Sequence, residues 1–254
     1  MGSVSVNNLP EGGLESGTAD TAKNKDTRAV FFFDIDNCLY AKSRRVHDHM
    51  AALINKYFIT HLDMSADEAT HLHQKYYKDY GLAIEGLARH HKIAPLDFNR
   101  EVDDALPLDE LLEPHAETRA LLQRFDPHKV KLWLFTNAHV THGRRVVRLL
   151  GIDDLFEGIT YCDYGQVPLV PKPLPEMFDK AEREAGVRPG GHTPVYFVDD
   201  SYLNCRAAYM RGWTNTVHLV ERGVPEPEEK ASKYQISDLA ELLDLFPELL
   251  RTDA

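Results

Sequence analysis

Apolar residues in this chain keep two different rhythms. Four short runs stand out: Ala29-Val30-Phe31-Phe32-Phe33, Val130-Lys131-Leu132-Trp133-Leu134-Phe135, Val195-Tyr196-Phe197-Val198 and Thr216-Val217-His218-Leu219-Val220. Runs of this kind suit strands covered on both faces, as in a parallel sheet. Between them, helical patterns fall at about 118–124, 143–150, 175–185 and 203–211. Gly151 and Gly212 stand where helix C-terminal glycines are expected. One stretch breaks the alternation. From 46 to 102 the pattern is helical only, with helices predicted at 46–58, 66–80 and 82–91. Met50, Leu53, Ile54 and Tyr57 recur there at three- and four-residue steps. Residues 224–229 read as an exposed acidic linker, and Ser237 is expected to cap the last helix.

Strands alternating with helices predict an α/β fold: a Rossmann-like parallel sheet core with an inserted α-helical module. The core is expected at 28–40 and 116–254, and the helical module at 41–115. Residues 1–27, rich in Gly, Ser, Asn and Thr without apolar periodicity, read as a disordered tail. The 40 acidic against 29 basic residues leave a formal charge of −11. That balance argues against a nucleic-acid polymer as partner, which would want a basic face. It leaves small anions open, because a local site can be positive on a negative protein. No apolar run approaches the roughly 20 residues that cross a bilayer, so no membrane insertion is expected. Cys38, Cys162 and Cys205 are odd in number and far apart. Reduced thiols and a cytoplasmic location, with the nucleus also open, are therefore expected.

In open parallel sheets, ligands bind beyond the carboxyl ends of the strands. The first run ends in Asp34-Ile35-Asp36, the second in Thr136-Asn137, and the run through Val198 in Asp199-Asp200-Ser201. Lys172 follows a turn-rich stretch, 166–171. Carboxylates gathered in one place repel one another unless they share a hard divalent cation such as Mg²⁺. A hydroxyl and an ammonium added there make a receptor for a phosphoryl group. Taken singly, each element has a plainer reading as a turn, a cap or a surface charge. Asp103-Asp104 and Asp153-Asp154 lie away from strand ends and read as structural. His47, His49, His71 and His73 read as surface residues, since two residues apart on a helix they diverge. Tyr76, Tyr77 and Tyr80 read as core of the helical module, and Arg144, Arg145 and Arg148 as a solvated helix face.

These residues form a known pattern. Phe33-Asp34-Ile35-Asp36-Asn37-Cys38-Leu39-Tyr40 resembles the first motif of the haloacid-dehalogenase superfamily of phosphatases. Leu134-Phe135-Thr136-Asn137-Ala138, Lys172-Pro173 and Val198-Asp199-Asp200-Ser201 resemble the second, third and fourth. The module at 41–115 stands where that superfamily carries a helical cap. Tyr80-Gly81-Leu82-Ala83-Ile84-Glu85-Gly86-Leu87 and Thr160-Tyr161-Cys162-Asp163-Tyr164 further resemble the fungal pyrimidine 5′-nucleotidase branch.

The resemblance implies Asp34 as nucleophile and Asp36 as general acid/base. It implies Mg²⁺ held by Asp34, the Asp36 backbone carbonyl and Asp200, with Asp199 either a further ligand or, the preferred reading, supporting from behind. Thr136, the Asn137 amide and Lys172 would hold the phosphoryl oxygens. Cys38 replaces the commoner Thr or Val of the family, and a small residue can still make that turn. The implied partner is a small phosphorylated metabolite, a nucleoside 5′-monophosphate such as UMP or CMP. Nicotinamide mononucleotide, lysophosphatidate and sugar phosphates are the alternatives. A monomer or weak homodimer is expected. A receiver domain would place its acidic pair on the first strand, and a dehalogenase would need neither Asp36 nor Asp200. A fold kept as a binding module without turnover is the remaining alternative.

Overall fold

The computed structural model describes residues 26–188, 190 and 192–252. The tail expected at 1–27 lies outside these except for Asp26 and Thr27, and Asp26 is held by Arg28 at 2.8 Å and Lys131 at 3.1 Å. Six strands form one sheet: β1 (Ala29–Phe33), β2 (Val130–Thr136), β3 (Gly158–Tyr161), β4 (Val195–Asp199), β5 (Asn215–Leu219) and β6 (Tyr234–Ile236). All pairings are parallel, in the order β3-β2-β1-β4-β5-β6. The first, second, third and fourth predicted runs are β1, β2, β4 and β5 within one residue at either end.

The apolar pattern does not announce β3 and β6. They are four and three residues long, too short to show a rhythm. At the start of β3 the Trp133 ring lies against Gly158; a Cβ there would come within 2.2 Å of that ring, so only glycine fits.

Helices follow the predicted pattern. Between β1 and β2 lie α1 (Val46–Leu62), α2 (Ala66–Tyr80), α3 (Ala83–His91), α4 (Pro95–Glu101), α5 (Leu108–Leu111) and α6 (Ala116–Leu122). After β2 come α7 (Val140–Leu149), α8 (Pro175–Ala185), α9 (Tyr202–Met210) and α10 (Leu242–Leu245). α2 opens on a capping box, in which Ser65 accepts from the Glu68 amide and Glu68 returns the bond. It closes on Gly81 at φ +76°, a conformation glycine adopts without cost. Gly151 and Gly212 also have positive φ, as expected for their places.

The last segment departs from expectation. Asp238, rather than Ser237, caps a 3-10 turn, accepting from the Ala240 amide at 2.9 Å. Glu241 folds back to the Ser237 and Asp238 amides, so the Ser237 hydroxyl serves Glu241 instead of a helix end.

Alternation along β1 divides the core. Phe31 and Phe33 face one cluster, with Leu132, Leu134 and Val198. Val30 and Phe32 face the other, with Phe135, Phe197, Phe178 and Trp213. Every residue of β1 is buried, and each buried Phe contributes about 1.5–3 kcal/mol. The second cluster continues into the helical segment through Phe58, Tyr76, Ile84, Leu87 and Phe98. Parallel register sets Phe33 beside Leu134 and Val198, so the ends of β1, β2 and β4 come level.

Candidate active site

What leaves those three strand ends is Asp34, Thr136 and Asp199. The Asp34 amide continues the ladder by donating to Val198 O at 3.0 Å. Just past it, Asn37 takes a left-handed φ of +59°, which Asn tolerates and which turns the chain back behind Asp36. Cys38 is buried after this turn, so the residue bearing the left-handed conformation is its neighbour.

Lys172 is the hub. Its ammonium, 1% exposed, donates to Asp34 Oδ1 at 2.7 Å, Asp199 Oδ2 at 2.7 Å and Phe135 O at 2.6 Å. All three donor positions of an ammonium are thereby used. Asn137 clasps the Lys172 backbone from β2's end: its Oδ1 accepts from Lys172 N at 2.6 Å and its Nδ2 donates to Lys172 O at 2.9 Å. The loop before Lys172 is tied to α3, where buried Glu85 accepts from Leu169 N at 3.1 Å and pairs with Arg89. Gly81 abuts the same loop; a Cβ there would lie 3.4 Å from Lys172 O.

Asp199 is fully enclosed. Besides Lys172 it accepts from the Ser201 amide at 2.7 Å and from Asn204 Nδ2 at 3.1 and 3.2 Å. Asp200 is more open and pairs with Lys42 at 3.0 Å. Oxygens of Asp34, Asp199 and Asp200 lie within 4.8 Å of one another. Among the described residues no other group of three or more acidic, His or Cys side chains could hold a metal ion. Of the four histidines expected at the surface, His47, His49 and His71 are exposed, whereas His73 is half-buried between α1 and α2, with Nδ1 3.2 Å from Asn55 Oδ1.

The electrostatics follow from burial and crowding. Burial opposes charge on Lys172, yet Asp199 and Asp34 outweigh it and hold the ammonium protonated. Burial pushes Asp34 well up, Lys172 opposes this, and the charges of Asp199 and Asp200 add to the rise. Asp200 is pushed up to about 6 by burial and by Asp199, against the pull of Lys42. Buried Lys172 and the more open Lys42 together still leave one negative charge of the three carboxylates uncompensated. A donor set of oxygens with that surplus fits a hard divalent cation.

Thr136 is buried and its Oγ1 accepts from the Ala138 amide at 3.0 Å. Asp36, one turn from the cluster, has its own surroundings. Tyr40 and His142 both donate to its Oδ1, at 2.6 and 2.8 Å. Burial raises the Asp36 carboxyl, but His142 and Tyr40 bring it below the usual range. Burial lowers His142, but Asp36 and Asp103 lift it to about 9.

Sequence reasoning does not find His142, Asp103, Asn204 or the side-chain role of Asn137. His142 carries only one signal: it lies one helical turn beyond the Thr136 loop. Arg144 and Arg148 are exposed as expected, while Arg145 bonds Leu106 O at 3.0 Å and pairs with Asp109. Tyr76 is core, as expected, but Tyr77 is 55% exposed.

Comparison with known proteins decides the family. Residues 29–208 match the haloacid dehalogenase-like hydrolases. The chain belongs to that family. It is 38% identical over 231 residues to Phosphate metabolism protein 8 of Saccharomyces cerevisiae, covering 86% of this chain and 71% of the yeast protein. Among solved structures, a haloacid-dehalogenase phosphatase from Thermococcus onnurineus superposes with a TM-score of 0.57 at 21% identity, over 86% of this chain and 97% of that one. CbbY from Rhodobacter sphaeroides, a mutant in complex with xylulose-(1,5)bisphosphate, gives 0.60 at 19% identity, over 85% and 96%. Both share the fold of this haloacid dehalogenase-like hydrolase. Its six-stranded parallel sheet thus carries the family's α/β architecture.

Proposed function

We propose that this hydrolase is a Mg²⁺-dependent phosphomonoesterase acting on nucleoside 5′-monophosphates, UMP and CMP foremost. The core would be 28–40 with 116–254, and 41–115 the cap. The observation that carries the phosphatase reading is Lys172, whose ammonium bridges Asp34 and Asp199 at 2.7 Å each. A carboxylate fixed by an ammonium is placed to attack an anionic phosphorus that the same ammonium attracts.

Asp34, Asp200 and the Asp36 carbonyl are the groups to hold Mg²⁺. Asp199 has both oxygens engaged by Lys172, Ser201 and Asn204, and so belongs behind the metal ligands. Bound Mg²⁺ would offset the surplus negative charge and keep the Asp34 carboxylate ionised. Asp34 would form a bond to phosphorus as the ester P–O bond breaks, with Thr136 and the Asn137 amide holding the phosphoryl oxygens and the charge of Lys172 drawing them in, one of its bonds passing from Asp34 to a phosphoryl oxygen as Asp34 attacks. Asp36 gives a proton to the departing alkoxide. It then takes one from the water that attacks the aspartyl phosphate, returning free phosphate and Asp34.

Tyr77 supports an aromatic leaving group. The residue is 55% exposed, yet burial around its hydroxyl and the charges of Asp200, Asp199 and Asp34 raise that group. An open ring whose polar tip feels the three acids is suited to stack on a base whose phosphate they receive. The sequence likeness to the pyrimidine 5′-nucleotidase branch points the same way.

The test is phosphate release, after metal stripping and Mg²⁺ restoration, from UMP, CMP, nicotinamide mononucleotide, lysophosphatidate and sugar phosphates. The highest kcat/KM is expected for UMP or CMP, with none before Mg²⁺ returns. Asp34→Asn is expected to lose covalent phosphoryl labelling entirely. Faster turnover of a sugar phosphate than of any nucleotide would overturn the substrate assignment. No release from any ester would leave the binding-module reading standing.

A further inference from the structure

Both hydrogen bonds to the Asp36 carboxylate land on the same oxygen. Tyr40 Oη lies 2.6 Å and His142 Nε2 2.8 Å from Oδ1, and no bond among the described residues reaches Oδ2. The donors come from different places: Tyr40 follows the turn after β1, whereas His142 lies in the first turns of α7. Both are buried, Tyr40 at 4% and His142 at 1%. The Asp36 side chain keeps 28% of its surface open. Solvent and ligand therefore reach this trio only through Asp36.

An oxygen that accepts two such bonds is a poor seat for a proton, since protonating it breaks at least one of them. The two bonds also fix the rotation of the carboxylate plane, which one bond would not. We infer that Tyr40 and His142 are positioning residues that bind Asp36 Oδ1 and present Oδ2 as the oxygen that carries the proton to the leaving group. The inference rests on the reading of Asp36 as the general acid. It adds which atom works and which side chains aim it. No bond is made or broken by Tyr40 or His142; Oδ2 takes up a proton from the phosphomonoester entering as its monoanion and passes it to the ester oxygen as the P–O bond breaks, while Oδ1 keeps its partners throughout.

A purely structural role predicts equal losses with every substrate, so the leaving group is the discriminating variable. A nucleoside alkoxide needs the proton, whereas 4-nitrophenolate scarcely does. Tyr40→Phe, His142→Gln and His142→Ala are to be followed by rapid quench with UMP and with 4-nitrophenyl phosphate. Formation of the Asp34 phosphoenzyme from UMP is expected to slow by about 10–100-fold in Tyr40→Phe and His142→Ala. Its formation from 4-nitrophenyl phosphate should stay within about threefold of wild type. His142→Gln, which keeps an N–H donor, should recover part of the UMP loss.

Equal slowing of the two substrates, or wild-type rates with both, overturns the assignment. Should His142→Ala fail to fold, Tyr40→Phe, which removes a single oxygen, decides alone. If wild type carries no phosphoryl group on Asp34, the phosphatase reading falls and this assignment with it. If wild type is labelled and the variants keep its preference, only this assignment falls.

Discussion

Asp103 shows how far a residue's surroundings can depart from its neighbours in sequence. Beside Asp104 in a polar helix end it reads as structural, and Asp104 is exposed. The chain buries Asp103 to 4% exposure, with Oδ2 left without a partner. Burial drives its carboxyl up to about 7; His142 opposes the rise, and Asp36 and Asp104 add to it. The sign of the consequence is unusual for an acid. The folded chain holds a proton that the unfolded chain, with its value near 3.8, has already released. Stability therefore falls as pH rises from about 4 to about 7 and is flat beyond, because both forms are then ionised. Asp103→Asn carries no charge at any pH and should stabilise the protein at pH 8, by roughly 2–4 kcal/mol. The gain should shrink to nothing by about pH 4. Urea unfolding of both proteins across that range checks it, and a gain independent of pH would refute the burial argument.

At the same scale, Asp34, Asp36, Lys172 and Asp199 are visible in the sequence because each stands at the end of an apolar run or in a turn just beyond one. His142 is not. Its partner Asp36 is 106 residues away, and a lone histidine in an amphipathic helix looks the same whether it faces a carboxylate or water.

Elements differ in how much of themselves they announce. α2 and α8 run as predicted, because each has a strong start and stop: Ser65 and Gly81 in one, Pro175 and Gly186 in the other. β3 and β6 have only four and three residues and sit at the sheet's two sides, where pairing with β2 and β5 defines them. Which face of α2 is buried is also out of the sequence's reach, since the target of packing belongs to α1 and α3. A helix turns about 100° per residue, so adjacent Tyr76 and Tyr77 cannot share a face. Tyr76 falls inward, hydrogen-bonded to His91 at 2.8 Å, and Tyr77 outward. Tyr77→Ala should raise KM for UMP about 2–10-fold, the value of an aromatic contact, while changing kcat little. Its melting temperature should stay near wild type. A fall in kcat with KM unchanged would remove Tyr77 from substrate binding.

Across the whole molecule, the parallel sheet lays its acid-bearing strand ends on one edge, and a free cysteine lies close to several of them. Cys38 Sγ is 3.9 Å from Val198 O, and Cys205 Sγ is 3.3 Å from Asp199 O. Cys162 follows β3 directly, and all three thiols are buried. Burial pushes each thiol up, Cys162 to about 12, so almost none is thiolate at neutral pH. Alkylation must then wait for the protein to open, and its rate becomes a clock placed beside the site. With iodoacetamide and peptide mass mapping, one common rate for the three would mean that this edge opens only by global unfolding. Separate rates would time the strand ends individually. Phosphate with Mg²⁺ should then delay Cys38 and Cys205 more than Cys162, and the delay would read occupancy without any turnover at all.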